Sequence, residues 1–170
     1  MKEIIEDFDN YLTMNNKEPK RDKILIKNLI DYLNKYYKED LKEKNIDFKI
    51  KSNCYNSYIY VDLPKFKRVF SNIISNSIRY LDKNKKIIKI DIKETNNKII
   101  FTIEDNGSGS KELKKIFEPL YTTDASRKIS GLGLSICKEI IEAHNGIIKA
   151  ENNKLGGLSI IFEIESYKED

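Results

Sequence analysis

Four polar side chains gather on one side of the stretch RVFSNIISNSIRY, residues 68–80. At about 100° per residue, Arg68, Asn72, Asn76 and Arg79 fall within roughly 80° of arc. A carboxamide oxygen suits Mg²⁺, a hard cation that keeps waters and substrate phosphates around it. Guanidinium groups suit phosphate oxygens. An amphipathic surface helix with solvated Asn and Arg has the same pattern, so both readings stay open here. Two glycine strings follow. Asp105-Asn-Gly-Ser-Gly leaves an alternating run, where glycine lets backbone approach a flat ligand. A carboxylate there can accept a hydrogen bond from an exocyclic amine and so tell adenine from guanine. The string also fits a plain Asx turn. Gly131-Leu-Gly-Leu opens a helix, and backbone amides at a helix start bind phosphate. A loop that merely needs positive φ reads the same way.

These groups need a scaffold. Phe66, Phe70, Ile73, Ile74, Ser77 and Ile78 form the apolar side of the central helix, which must pack on something, most simply a sheet. Asp62 is its N-cap and Pro64 sits in the first turn. Upstream, residues 1–18 carry a weak helical pattern broken at NNKEP. A short strand is expected at Ile24–Ile26, then a helix to Asn45 with Leu29, Ile30, Leu33, Tyr37 and Leu41 on one stripe. Ile46–Ile50 and Tyr58–Val61 read as strands, and Ile87–Lys93 with Lys98–Glu104 as a hairpin. A short helical piece is expected at Lys111–Phe117 and a polar stretch at Tyr121–Ser130. The helix after GLGL carries Leu134, Cys137, Ile141 and His144 on one stripe and stops at Asn145-Gly146. Strands Ile147–Glu151 and Leu158–Glu165 flank a turn with Gly156-Gly157. The sum is α+β, a two-layer sandwich with three helices on one face of a mixed, mainly antiparallel sheet.

The composition narrows the class. With 170 residues the chain builds one domain and a short appendage. Hydrophobic residues at 39% and charged residues at 34% are those of a soluble globular protein. A net charge of +4, from 31 basic and 27 acidic residues spread along the chain, gives no case for nucleic acid. Cys54 and Cys137 make neither a CxxC pair nor a disulfide framework, which fits a reduced intracellular compartment. No apolar run of about 18 residues is present, and the opening MKEIIEDFDN is too acidic for a secretory signal.

Five strings in order carry a resemblance: RVFSNIISNSIRY, EDNGSG, KIFEPLYTT, SGLGLSICKEIIEAHNG and GGLSIIFEI. They resemble the N box, first glycine box, F box, second glycine box and closing strand of the catalytic, ATP-binding domain of bacterial sensor histidine kinases. The resemblance spans about residues 20–165. It implies the Bergerat sandwich shared with DNA gyrase, mismatch-repair ATPases and heat-shock chaperones. It further implies that Asn76 coordinates Mg²⁺, that Asn72 and Arg79 lie near the phosphates, and that Tyr80 lies beside the nucleoside. Asp105 would receive the adenine amine in a pocket shaped by Gly107 and Gly109. Phe117 falls in the F box. Residues 111–133 would form a mobile lid, with Gly131, Leu132, Gly133 and Leu134 at the phosphates and Arg127 or Lys128 reaching the γ-phosphate. Solvated lid charges are the plainer reading of those two. Ser159 stands where the family has Thr or Ser near the adenine. Ser77, Ser110, Leu120 and Asn145 depart from the usual Ala, Ile, Phe and Gly without removing a proposed ligand.

The family's phosphoacceptor histidine is missing. The one histidine, His144 in EAHNG, reads as structural. The expectation is therefore a catalytic domain over residues 19–170, preceded by a remnant of the dimerisation helix or a linker at 1–18. Its partners by resemblance are ATP, the histidine-bearing dimerisation domain of the same sensor, and a downstream response regulator. The whole sensor would be homodimeric and membrane-attached, with this part cytoplasmic. Two rivals share the fold class: a serine-kinase anti-sigma factor, and a non-catalytic nucleotide-sensing module. ATP-hydrolysing relatives place a Glu base one turn before the magnesium Asn. Here Asn72 occupies that position, which favours transfer over hydrolysis.

Overall fold

A computed structural model describes residues 18–121 and 132–169. The elements are β1 (Asp22–Leu25), α1 (Ile26–Glu43), β2 (Ile46–Ser52), β3 (Tyr58–Val61), α2 (Leu63–Tyr80), β4 (Lys86–Thr95), β5 (Lys98–Asp105), a 3₁₀ turn (Lys115–Phe117), α3 (Gly133–Ala143), β6 (Ile147–Asn152) and β7 (Leu158–Tyr167). One sheet runs β1-β3-β7-β5-β4-β2, with β6 also paired to β7. All pairings are antiparallel except β2 with β4. The α+β sandwich expected from the sequence is the fold observed.

In β5, buried Ile99, Phe101, Ile103 and Asp105 alternate with half-buried neighbours, so the sheet has one dry face and one wetter face. The helices cover the dry face. Phe101 and Phe162 are cross-strand partners stacked at 4.8 Å, and Phe66 and Phe70 of α2 meet them edge-on. All four rings are fully buried. Such pairs contribute about 0.5–1.5 kcal/mol each beyond the apolar area they bury. They fix which way α2 is rolled, and so point its polar side away from the sheet. The opposite face of the sheet carries surface ion pairs such as Lys93–Asp91 and Lys98–Glu163.

A side chain closes the start of α2, and backbone hydrogen bonds close the end of α3. Asp62 Oδ1 accepts from Lys65 N–H at the start of α2. Asn145, at φ 58°, ends α3 in a Schellman motif, with Gly146 N–H on the Ile141 carbonyl and Asn145 N–H on that of Glu142. Asn tolerates this left-handed position, which explains how it replaces the family's glycine there.

Several boundaries differ from expectation. The first strand ends at Leu25, and α1 stops at Glu43, because Asn45 turns the chain at φ 57°. The helix expected at Lys111–Phe117 is one 3₁₀ turn, since Ile116 is its one buried side chain. Strand β7 reaches Tyr167 because its last residues pair with β3. On α2, Val69 joins the buried face, while Ile78 is only partly buried. Residues 1–17 and 122–131 lie outside the described residues, and with them all but the last residue of the expected linker or dimerisation remnant, Arg127, Lys128, Gly131 and the middle of the expected lid.

Candidate functional site

Where α2 ends, β5 ends and α3 begins, the structure leaves an open cleft. Asn76 and Tyr80 reach it from α2, and Asp105, Gly109 and Ser110 from the end of β5 and its loop. Ile116, Tyr121, Leu134 and Leu158 supply the apolar and aromatic lining. Apolar and aromatic walls with a few placed polar groups are the usual make-up of a small-molecule site.

Asp105 is the most tightly held of the polar groups. It is 4% exposed. Its Oδ1 accepts from Gly107 N–H at 2.9 Å and from Leu158 N–H at 3.1 Å. With both donors on Oδ1, Oδ2 is the acceptor available to a ligand. The backbone crowds this carboxylate. A Cβ at Gly157 would stand 2.2 Å from the Asp105 carbonyl oxygen, and one at Gly107 would stand 2.4 Å from that of Tyr80. Only glycine permits such approaches.

The loop after Asp105 is fastened by carboxamides that imitate strand pairing. Asn106 accepts from Ile87 N–H and donates to the Lys85 carbonyl. Asn152 does the same for Ser110, accepting its N–H at 2.8 Å and donating to its carbonyl at 2.7 Å.

Other residues singled out from the sequence lie around the cleft rather than in its wall. Asn72 donates to the Gly133 carbonyl at 3.1 Å, tying α2 to the first turn of α3. Leu132 is buried beneath that turn. Arg79 is exposed at the last turn of α2. Ser159 is buried behind Asp105, donating to Glu104 and accepting from Asn153. Phe117 packs partly against the core and faces a separate groove with Lys114, Pro119 and Lys138. Cys137 is buried between α2 and α3, its Sγ 3.6 Å from the Val69 carbonyl, and burial pushes its thiol up to about 12. A thiol so placed is inert.

Ser110, Ile116, Tyr121, Leu158, Gly157 and the two asparagines 152 and 153 are not among the site residues expected from the sequence. The Gly156-Gly157 pair was legible as a turn, but its contact with Asp105 spans 52 residues and leaves no local mark.

His144 is fully engaged in structure. Its Nε2 accepts the Asp62 N–H at 2.9 Å, and its Nδ1 donates to the Ile140 carbonyl at 2.7 Å. Burial holds its pKa below the ordinary histidine value of 6.5. The unfolded chain therefore takes up this proton first, and stability present above 6.5 is lost as pH falls towards the folded value. The melting temperature is expected to fall between about pH 7.5 and 5.5, a window around the ordinary histidine pKa. His144→Gln is expected to flatten that slope. An unchanged slope in the variant would assign it to other groups.

Among the described residues, no three His, Cys, Asp or Glu side chains could hold a metal ion together. No helix among them is long and apolar enough to cross a membrane.

Comparison with known proteins gives one family. Residues 61–168 match the model of the "Histidine kinase-, DNA gyrase B-, and HSP90-like ATPase" family. Signal transduction histidine-protein kinase BaeS of Escherichia coli is 36% identical over 112 residues, 62% of this chain and 24% of that protein. Sensor histidine kinase WalK of Bacillus subtilis is 32% identical over 139 residues, 78% of this chain and 23% of that protein. The chain thus spans about a quarter of the length of these relatives. The catalytic domain of histidine kinase ThkA superposes with a TM-score of 0.76 at 29% identity, covering 86% of this chain and 95% of that one. The same kinase in complex with response regulator TrrA gives 0.78 at 27%, covering 95% and 47%.

Proposed function

Because this chain belongs to the histidine kinase-, DNA gyrase B- and HSP90-like ATPase family, we propose that it is the ATP-binding catalytic domain of a sensor histidine kinase. It transfers the γ-phosphate of ATP to a histidine on a separate dimerisation domain. The observation that carries this reading is that one cleft gathers the pinned Asp105, Asn76 and Tyr80.

In this reading Asp105 Oδ2 receives the adenine amine, Tyr80 lies beside the nucleoside, and Gly107 and Gly109 shape the base pocket. Leu132, Gly133 and Leu134 lead the phosphates onto the first turn of α3, whose free amides suit anions. Gly131 would lie over the phosphates, Arg127 or Lys128 would reach the γ-phosphate, Asn72 and Arg79 would lie near the phosphates, Phe117 would belong to the lid, and Ser159 would stand near the adenine. The donor set fits Mg²⁺, which needs one protein oxygen here, Asn76, with phosphates and waters completing the shell. When bound, the ion neutralises charge on the transferring phosphate. Asn72, one turn before Asn76, holds the Gly133 carbonyl and takes up no proton, so no base for water stands there. That favours transfer to a protein over hydrolysis.

The residues 19–170 then form the catalytic unit, with 1–18 leading to the acceptor domain. The whole protein is a cytoplasmic-facing, membrane-attached homodimer that passes phosphate to a response regulator. ThkA, similar to this chain, has been solved with such a regulator.

Incubation with γ-labelled ATP tests the proposal. The chain alone is expected to bind ATP and retain no label, since phosphoryl transfer needs an acceptor held in line. His144 lies at the far end of α3, about 16 Å from its first residue at 1.5 Å per residue. Adding a histidine-bearing dimerisation domain should yield acid-labile, base-stable phosphate. Stoichiometric label on this chain, lost in His144→Ala, would overturn the reading, as would acid-stable phosphoserine on a partner.

A further inference from the structure

Asp105 owes its position to the β6–β7 turn as much as to its own strand. The organiser of that turn is Asn153. Its Nδ2 donates to the Asp105 carbonyl at 2.9 Å and to Ser159 Oγ at 3.2 Å. Its Oδ1 accepts from Leu155 N–H at 3.0 Å and from Gly157 N–H at 3.1 Å. A carboxamide offers two donors and two acceptor positions, and all four are used. Its own N–H closes the turn on the Gly157 carbonyl at 2.9 Å. The turn so held delivers Leu158 N–H to Asp105 Oδ1. It also seats Gly157 against the same residue, where no Cβ fits. One side chain therefore grips both the strand end that bears the carboxylate and the turn that orients it.

We propose that Asn153 is a specificity-determining positioning residue: by fixing the Asp105 carboxylate it sets discrimination for purines bearing a 6-amino group. The proposal rests on the reading of Asp105 as the acceptor for the adenine amine. It acts through Asp105 and touches no ligand itself.

Calorimetry on the full chain with ATP and with purine riboside triphosphate, which lacks only that amine, tests it. The wild-type protein is expected to prefer ATP by about 10- to 100-fold, the worth of one hydrogen bond to a charged group. Asn153→Ala is expected to shrink that ratio to within about threefold, while the amine-free nucleotide loses little affinity, because a misdirected acceptor forfeits one bond and not the slot. Asn153→Asp keeps the acceptor for Leu155 and Gly157 and loses the donor to Asp105. It is expected to lower the ratio likewise, and it serves if the alanine variant does not fold. Equal weakening of both nucleotides, with the ratio kept, would reduce Asn153 to a structural role and overturn the proposal. Absence of any preference in the wild-type protein would instead remove the reading of Asp105, and the proposal with it.

Discussion

Asp105→Asn is expected to weaken ATP binding by about a hundredfold, the upper range for one hydrogen bond to a charged group. The replacement keeps an oxygen for Gly107 N–H and Leu158 N–H, so the turn has no reason to move. What changes is the atom turned to the ligand. An NH₂ group then faces the adenine amine, donor against donor, and a buried site pays heavily for a mismatched partner. Burial sharpens the effect, because Asp105 is 4% exposed and water cannot fill in. Calorimetry with ATP, paired with a thermal melt to show that the fold persists, measures it. An unchanged ATP affinity would mean that the base is read elsewhere.

Asn76→Ala is expected to lower the Mg²⁺-dependent rate of phosphoryl transfer by about a thousandfold or more, since a bound ion supplies several kcal/mol of charge stabilisation. The fold should survive. Asn76 lies on the half-exposed side of α2, away from the four phenylalanines, and substitutions at such positions shift stability by about 0.5 kcal/mol or less. Asn76→Asp is expected to lose transfer as well. Single-turnover transfer to an added acceptor domain is the measurement. A variant within about tenfold of the wild-type rate, a difference of some 1.4 kcal/mol, would show that another group holds the ion.

What was legible in the sequence was what repeats over short distances. The period of α2 located both its buried and its polar side, and the alternation in β4 and β5 located their hairpin. Val69 escaped because it stands at the edge of the apolar stripe, where only the packing of α3 decides burial. The parallel pairing of β2 with β4 escaped because α2 and β3 intervene in the chain. The wall of the cleft was legible wherever a motif carried it, as at Asp105 and Asn76. Its supports were not. Asn152 and Asn153 act on residues 42 and 48 positions away, and an asparagine in a turn looks the same whether or not it reaches that far.

The place of β7 in the sheet bears on how the protein is made. The last strand lies in the interior of the sheet, between β5 on one side and β3 and β6 on the other. During vectorial synthesis the first five strands can emerge from the ribosome, yet β5 keeps an open edge and Phe101 lacks its stacked partner until Phe162 arrives. Leu158 N–H, which holds the Asp105 carboxylate, arrives in that same closing segment. The Asp105 carboxylate is therefore held only once β7 has been made, in the step that seals the sheet. Until then the unpaired edge of β5 is a surface for a chaperone or for another nascent chain to claim.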